Sequence, residues 1–203
     1  MPRRERAAMI NSLSGFKSAC LLGTRAANGL ENLAIVSSCF HIGADPALMG
    51  LLMRPHSVPR HSLENIIETG CYTLSHVNRD MYRAAHHTSA RFEREQSEFQ
   101  GCGLTPEYWS DFAAPFVKES RIRLGLALVE THTLQVNDTV LVIGALTHVE
   151  IPDDCLGEDG YVDIERAQTV AISGMDGYHA TQRLARLSYA KPDQEPDTLP
   201  VDH

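Results

Sequence analysis

Three stretches of this chain gather side chains suited to holding a polar or anionic ligand. The first reads Arg54-Pro55-His56-Ser57-Val58-Pro59-Arg60-His61-Ser62-Leu63-Glu64-Asn65. Beyond it, Leu63, Ile66 and Ile67 recur at helical spacing and Gly70 is a stop signal, so a helix is expected over Arg60–Thr69. Ser62, three residues before Asn65, is the expected N-cap. The first turn of a helix offers N–H groups without acceptors and the positive end of the dipole, and arginine adds paired, charge-assisted donors. Arg54, Arg60, His61, Ser62 and Asn65 are therefore candidates for a phosphate site. The competing reading is a plain loop capped by Ser62, with its arginines in solvent.

The second stretch, Ala85-His86-His87-Thr88-Ser89-Ala90-Arg91-Phe92, sets small hydroxyls beside another arginine, which makes Thr88, Ser89 and Arg91 candidates for a phosphate or ring-edge contact. The third is Asn32-Leu33-Ala34-Ile35-Val36-Ser37-Ser38. Serines inside an apolar strand need partners. Ser37 and Ser38 either bond neighbouring backbone or face a polar ligand lying across the sheet.

Other chemistries find little support. His76, His86 and His87 have no carboxylate at metal-ligand spacing, so no metal is expected. The chain has neither a G-x-S-x-G elbow nor a G-x-G-x-x-G turn, which argues against a serine hydrolase and a Rossmann fold. Glu98, Glu119 and Asp163 show no pairing, and no catalytic side chain is assigned.

The elements that must position these residues are mostly strands. Ser18–Arg25, Asn32–His41 and Leu48–Met53 read as a three-stranded meander, with Asn28-Gly29 at the first turn. Cys71–Val77 is a further strand and Arg79–His87 a helix. Gly101–Pro115 reads as a surface excursion carrying Trp109. Ile122–Leu134 and Thr139–Ile151 are the longest strand candidates, joined at Asn137-Asp138. A helix is expected within Gly174–Tyr189, on Leu184 and Leu187. The acidic, proline-rich residues 193–203 are expected to form a disordered or loosely docked tail.

Bulk properties set the class. With 203 residues, 43% hydrophobic and 22% charged, the chain can bury one large core as a single domain over 1–203. A net charge of −8 argues against nucleic-acid binding, which needs a basic stripe. Five scattered cysteines, odd in number and never in C-x-x-C spacing, indicate free thiols and a reducing cytoplasm. The N-terminal residues lack the apolar run of a secretory signal, and no stretch approaches the length of a membrane span.

In register along the chain stand N-L-A-I-V-S-S (Asn32–Ser38), G-A-D-P (Gly43–Pro46), R-P-x-x-x-x-R-H-S-L-x-N-I (Arg54–Ile66), G-C-Y-T-L-S-H-V (Gly70–Val77), A-H-H-T-S-A-R-F (Ala85–Phe92), S-E-F (Ser97–Phe99), G-L-T-P-E-Y (Gly103–Tyr108), V-K-E-S (Val117–Ser120), L-V-I-G (Leu141–Gly144), G-M-D-G-Y (Gly174–Tyr178) and R-L-S-Y-A-K-P (Arg186–Pro192). Over about residues 18–192 this succession resembles the flavin reductase-like family, whose proteins have the FMN-binding split barrel. The resemblance implies a mainly β fold, an antiparallel six-stranded split β-barrel (Greek key) with short decorating helices, working as a homodimer. It implies FMN as cofactor and NADH or NADPH as electron donor, with hydride passing from nicotinamide to flavin and an oxygenase or other electron acceptor as possible partner. Ser37 and Ser38 would then face the isoalloxazine edge, Arg54, His61, Ser62 and Asn65 would surround the ribityl phosphate, and Thr88, Ser89 and Arg91 would close that pocket. Ser62 departs from the threonine common in the family but keeps the hydroxyl. The alternatives are an FMN-carrying electron-transfer protein that does not use NAD(P)H, and a cofactor-less split-barrel binding module.

Overall fold

The computed structural model describes residues 1–55 and 60–200, so His56, Ser57, Val58 and Pro59 of the first candidate stretch lie outside the described residues. Helix α1 (Arg3–Leu13) precedes the strands β1 (Lys17–Ser18), β2 (Cys20–Arg25), β3 (Glu31–Val36), β4 (Cys39–Ala44) and β5 (Ala47–Met53). Helix α2 (His61–Thr69) leads into β6 (Cys71–His76), followed by α3 (Tyr82–His87), α4 (Glu98–Cys102), β7 (Pro106–Glu107) and β8 (Phe116–Val117). The long hairpin β9 (Arg123–Thr133) and β10 (Val140–Glu150) comes next, then β11 (Val170–Ser173), β12 (Gly177–Ala180), β13 (Arg186–Leu187) and β14 (Thr198–Leu199). No described helix is long and apolar enough to cross a membrane.

The main sheet is antiparallel and has seven strands, one more than expected, in the order β3-β2-β6-β9-β10-β5-β4. Its two ends, β3 and β4, are consecutive in the chain and joined only by Ser37 and Ser38. A two-residue link between opposite edges requires the sheet to curl until those edges meet, which makes it a barrel with a seam. Ser18 laces the seam: its Oγ lies 3.3 Å from both the N–H and the carbonyl oxygen of Cys39. The expectation of one strand over Asn32–His41, inside a simple meander, is thereby corrected. The apolar run continues through the link, but the ladder does not.

Both faces of β2 are covered, which explains its unbroken apolar run. Cys20 and Leu22 join Leu51, Tyr72, Leu74, Leu126 and Val142 in one core, to which α2 adds Leu63 and Ile66. Ala19 and Leu21 look the other way, into a core with Leu33, Val77, Met81, Ala85, Phe99, Val117 and Ile172.

Two further expectations change. Residues 101–115 are not a surface excursion, because Phe112, Ala114 and Phe116 are buried and Trp109 stacks on Phe116 at 3.8 Å and 21°. Arg123 fixes that segment by ion pairs to Glu107 and Glu150. No helix forms in Gly174–Tyr189. β11 and β12 make a hairpin there, and Leu184 is fully exposed. Arg183 and Arg186 tie the stretch down instead, bound to Asp163 and Asp159 with the Arg186 guanidinium 3.9 Å from the Tyr161 ring centroid. Part of the tail expected to be disordered or loosely docked is ordered, with β14 paired to β13, the strand before the tail.

Candidate functional site

The beginning of α2 is set by its ends and its inner face. Gly70, at φ +72°, takes the left-handed position that closes the helix, and Leu63 and Ile66 bury one stripe. The capping position belongs to Arg60, not Ser62, and its N–H is taken by Glu64 Oε1 at 3.1 Å. Ser62 sits one step inside the helix, where its Oγ accepts from Asn32 Nδ2 at 2.8 Å. The same Asn32 nitrogen lies 3.3 Å from Thr24 Oγ1, which also accepts from Asn65 Nδ2 at 3.1 Å. These four polar side chains are buried and lock α2 onto β2 and β3. Asn65 Oδ1 is left without a hydrogen-bond partner. Above this layer the first-turn N–H groups of His61, Ser62 and Leu63 have no helical acceptor, and Arg60 and His61 stand half-buried beside them.

A second wall comes from residues 88–98. β3 is an edge strand, so the N–H groups of Leu33 and Ile35 point away from β2. Glu98 Oε2 accepts the first at 2.9 Å and Thr88 Oγ1 the second at 2.8 Å. Burial pushes the Glu98 carboxyl above its usual range, against the opposing pull of the Leu33 N–H and the facing His61. Arg94, in the same loop, pairs with Glu64 of α2.

The structure thus brings Arg60, His61, Ser62, Asn65 and Thr88 to the junction of α2, β3 and the 88–98 loop. Ser37 and Ser38 lie half-buried in the seam link at the end of β3, and the Ser38 carbonyl accepts from Leu52 N–H at 3.1 Å. Arg54, just past the end of β5, is exposed, as are Ser89 and Arg91 immediately after Thr88. Thr24, Asn32 and Glu98 belong to the site but were not singled out as ligand-facing in the sequence. Glu98 carried no local signal, because its acceptor role is defined by a backbone group 65 residues away.

One more group borders the end of β3. His86 Nδ1 lies 3.1 Å from the hydroxyl of Tyr178, and their rings meet edge-on at 5.7 Å and 83°. Tyr82 packs on Tyr178 at 5.4 Å.

With this geometry in view, the sequence profile described as a flavin reductase like domain matches residues 14–170. A split-barrel protein of Shewanella frigidimarina NCIMB 400, provisionally assigned as a flavin reductase, is 53% identical; the alignment covers 94% of each chain with a TM-score of 0.91. Nitrilotriacetate monooxygenase component B from Bacillus cereus is 18% identical, with coverage of 92% of this chain and 95% of its own and a TM-score of 0.83. An FMN-binding protein from Thermus thermophilus is also 18% identical, covering 81% and 85% with a TM-score of 0.66. The last two likenesses show a common fold.

Proposed function

Because the chain belongs to the flavin reductase-like family, we propose that it binds FMN and reduces it with NADH or NADPH. The observation that carries this reading is the family match over residues 14–170, set on a site whose groups suit such a ligand. The first-turn N–H groups of α2, with Arg60 and His61 beside them and Arg54 ahead of them in the chain, would supply donors to a phosphate dianion. The buried, unpartnered Asn65 Oδ1 calls for a donor, and a ribityl hydroxyl is one. Ser37 and Ser38 follow β3 directly, where the ring edge would lie, and Thr88, bound to the Ile35 N–H, with Ser89 and Arg91 after it would close the phosphate pocket. The name of the Thermus protein, FMN-binding, points to the same cofactor.

When bound, flavin supplies the hydride-accepting chemistry. The chain's own task is to bind, orient and polarise. Glu98 and Thr88 hold the edge of β3 in place. The hydroxyls of Ser37 and Ser38 and neighbouring backbone N–H groups, at the ring edge, would favour the reduced, more negative state of the flavin. The monooxygenase component among the neighbours suggests an oxygenase as the consumer of reduced flavin. Five free cysteines fit a cytoplasmic setting.

The working unit is a homodimer in this reading. The register of β4, β5 and β10 places Phe40, Ile42, Leu52, Leu141 and Ile143 on one outer face. Phe40, Ile42 and Leu52 are each about 40% exposed, an apolar patch suited to a second copy. Ile42→Glu is expected to shift the protein toward monomer in light scattering, and an unchanged mass would remove this face from the assembly.

The deciding experiment is an anaerobic visible spectrum of the protein with FMN, before and after NADH and then NADPH. Bound-flavin bands that bleach support the reading. Bands that persist with both donors favour an electron carrier, and no bound bands overturn the cofactor. Arg54→Ala and Ser62→Ala are each expected to weaken FMN binding about tenfold, the scale of one charge-assisted hydrogen bond. Unchanged dissociation constants in both would remove the phosphate assignment.

A further inference from the structure

Two flanks enclose the seam link at the end of β3. On one, Thr88 at the end of α3 holds the Ile35 N–H. On the other, Ser18 holds Cys39 and pairs with Ala171 of β11, while Lys17 pairs with Ile172, itself opposite Tyr178 on β12. The Tyr178–His86 contact joins β12 to α3, and so one flank to the other. Ile35, Tyr82 and Tyr178 pack against the same buried core.

Tyr178 is held from several directions. Lys17 Nζ donates to the Gly174 carbonyl at 2.6 Å, fixing the turn before β12. The next residue, His179, is engaged by Ser173 Oγ at 2.7 Å and by the Phe16 ring at 4.8 Å. The core requires only an apolar ring at position 178. A phenol meeting an exposed histidine from another element adds nothing to packing, and it puts a directed polar group at the rim of the site.

We propose that Tyr178 and His86 form a binding wall for the nicotinamide of the electron donor, with the Tyr178 hydroxyl addressing the ring carboxamide. This rests on the flavin reductase reading above. The edge-on pair presents an aromatic surface against which a second planar ring can rest. Burial pushes the Tyr178 phenol up to about 12, so it keeps its proton at neutral pH. In the tautomer in which His86 Nδ1–H donates to the phenol oxygen, the phenol O–H is free to donate to a carbonyl.

The test uses FMN-loaded protein, anaerobically, with NADH and NADPH as probes. Tyr178→Phe and His86→Ala are each expected to raise the KM for the dinucleotide roughly tenfold, the scale of one hydrogen bond lost on binding. The kcat should stay within about twofold, and FMN affinity and melting temperature should match the parent; His86→Gln, which keeps a hydrogen-bonding side chain, should recover part of the loss. If both variants of a protein that NADH bleaches keep the parental KM, the wall is overturned and the reductase reading stands. If they lose FMN affinity in equal measure, the pair serves the flavin or the fold and the proposal is again overturned. If neither dinucleotide bleaches the parent, the reductase reading fails and the wall falls with it.

Discussion

Gly23→Ala is expected to destabilise the protein by about 3 kcal/mol, the upper end of ordinary overpacking and a large part of a typical folding free energy. Gly23 sits near the middle of β2, between Leu33 of β3 and Thr73 of β6. A Cβ there would lie 2.2 Å from the Pro115 carbonyl oxygen and 2.4 Å from Thr73 Oγ1. Those two atoms are hydrogen-bonded to each other at 2.6 Å, so the methyl would drive into a buried bond that fastens the 101–117 segment onto the sheet. Neither can step aside, since one is backbone and the other belongs to a fully buried side chain. Gly50 is the contrast. Its Cβ would meet the Phe40 ring at 2.5 Å, the far end of a side chain that is 40% exposed in the single chain and can shift within the proposed interface rather than into a buried bond. Urea midpoints should fall sharply for Gly23→Ala and by less than about 1 kcal/mol equivalent for Gly50→Ala. Equal shifts would show that the Thr73–Pro115 tie does not constrain the sheet.

Acid should weaken the fold through His76. Burial lowers this imidazole from 6.5 to about 4, with its Nδ1 3.3 Å from Thr169 Oγ1. The unfolded chain takes up a proton near 6.5 while the folded chain resists until about 4. The stability from keeping His76 neutral is therefore complete above pH 6.5 and lost as pH falls toward 4, amounting to about 3 kcal/mol at 1.36 kcal/mol per pH unit. Glu98 acts in the opposite sense. Its raised carboxyl favours the folded, protonated form as pH falls, offsetting part of the loss at the acid end. His76→Gln should flatten the decline in unfolding free energy between pH 6.5 and 4 relative to the parent. Parallel curves would show that His76 is not the acid-sensitive group.

The sequence reveals the elements whose causes are local. Asn28-Gly29 marks the β2–β3 turn, with Gly29 at φ +90°. Leu63 and Ile66 with the Gly70 stop mark α2, and the Val- and Leu-rich runs on either side of Asn137-Asp138 mark the long hairpin. What stays hidden depends on distant partners. Nothing near Ser37 or Ser38 announces that the ladder breaks there, because the break is a property of the closed sheet. Leu184 and Leu187 have helical spacing, yet Arg183 and Arg186 find carboxylates 20 and 27 residues back and hold the chain extended. Ser62 looks like a helix cap until Asn32, 30 residues earlier, claims its hydroxyl. The α2 end of the candidate site was legible for the same reason as the helix. The Glu98 and Tyr178 contributions were not, since each is defined by a contact across the fold.

The closure of the β3 edge bears on how this chain avoids sticking to its neighbours. An exposed strand edge is a template on which another molecule can extend the sheet. Here two of its outward N–H groups are stoppered by Thr88 and Glu98, so a second chain finds no bare donors at Leu33 and Ile35. Those stoppers lie 53 and 65 residues downstream of the groups they cover. During synthesis the edge therefore emerges well before its protection, and the interval until residues 88–98 dock is when the growing chain is most open to aggregation.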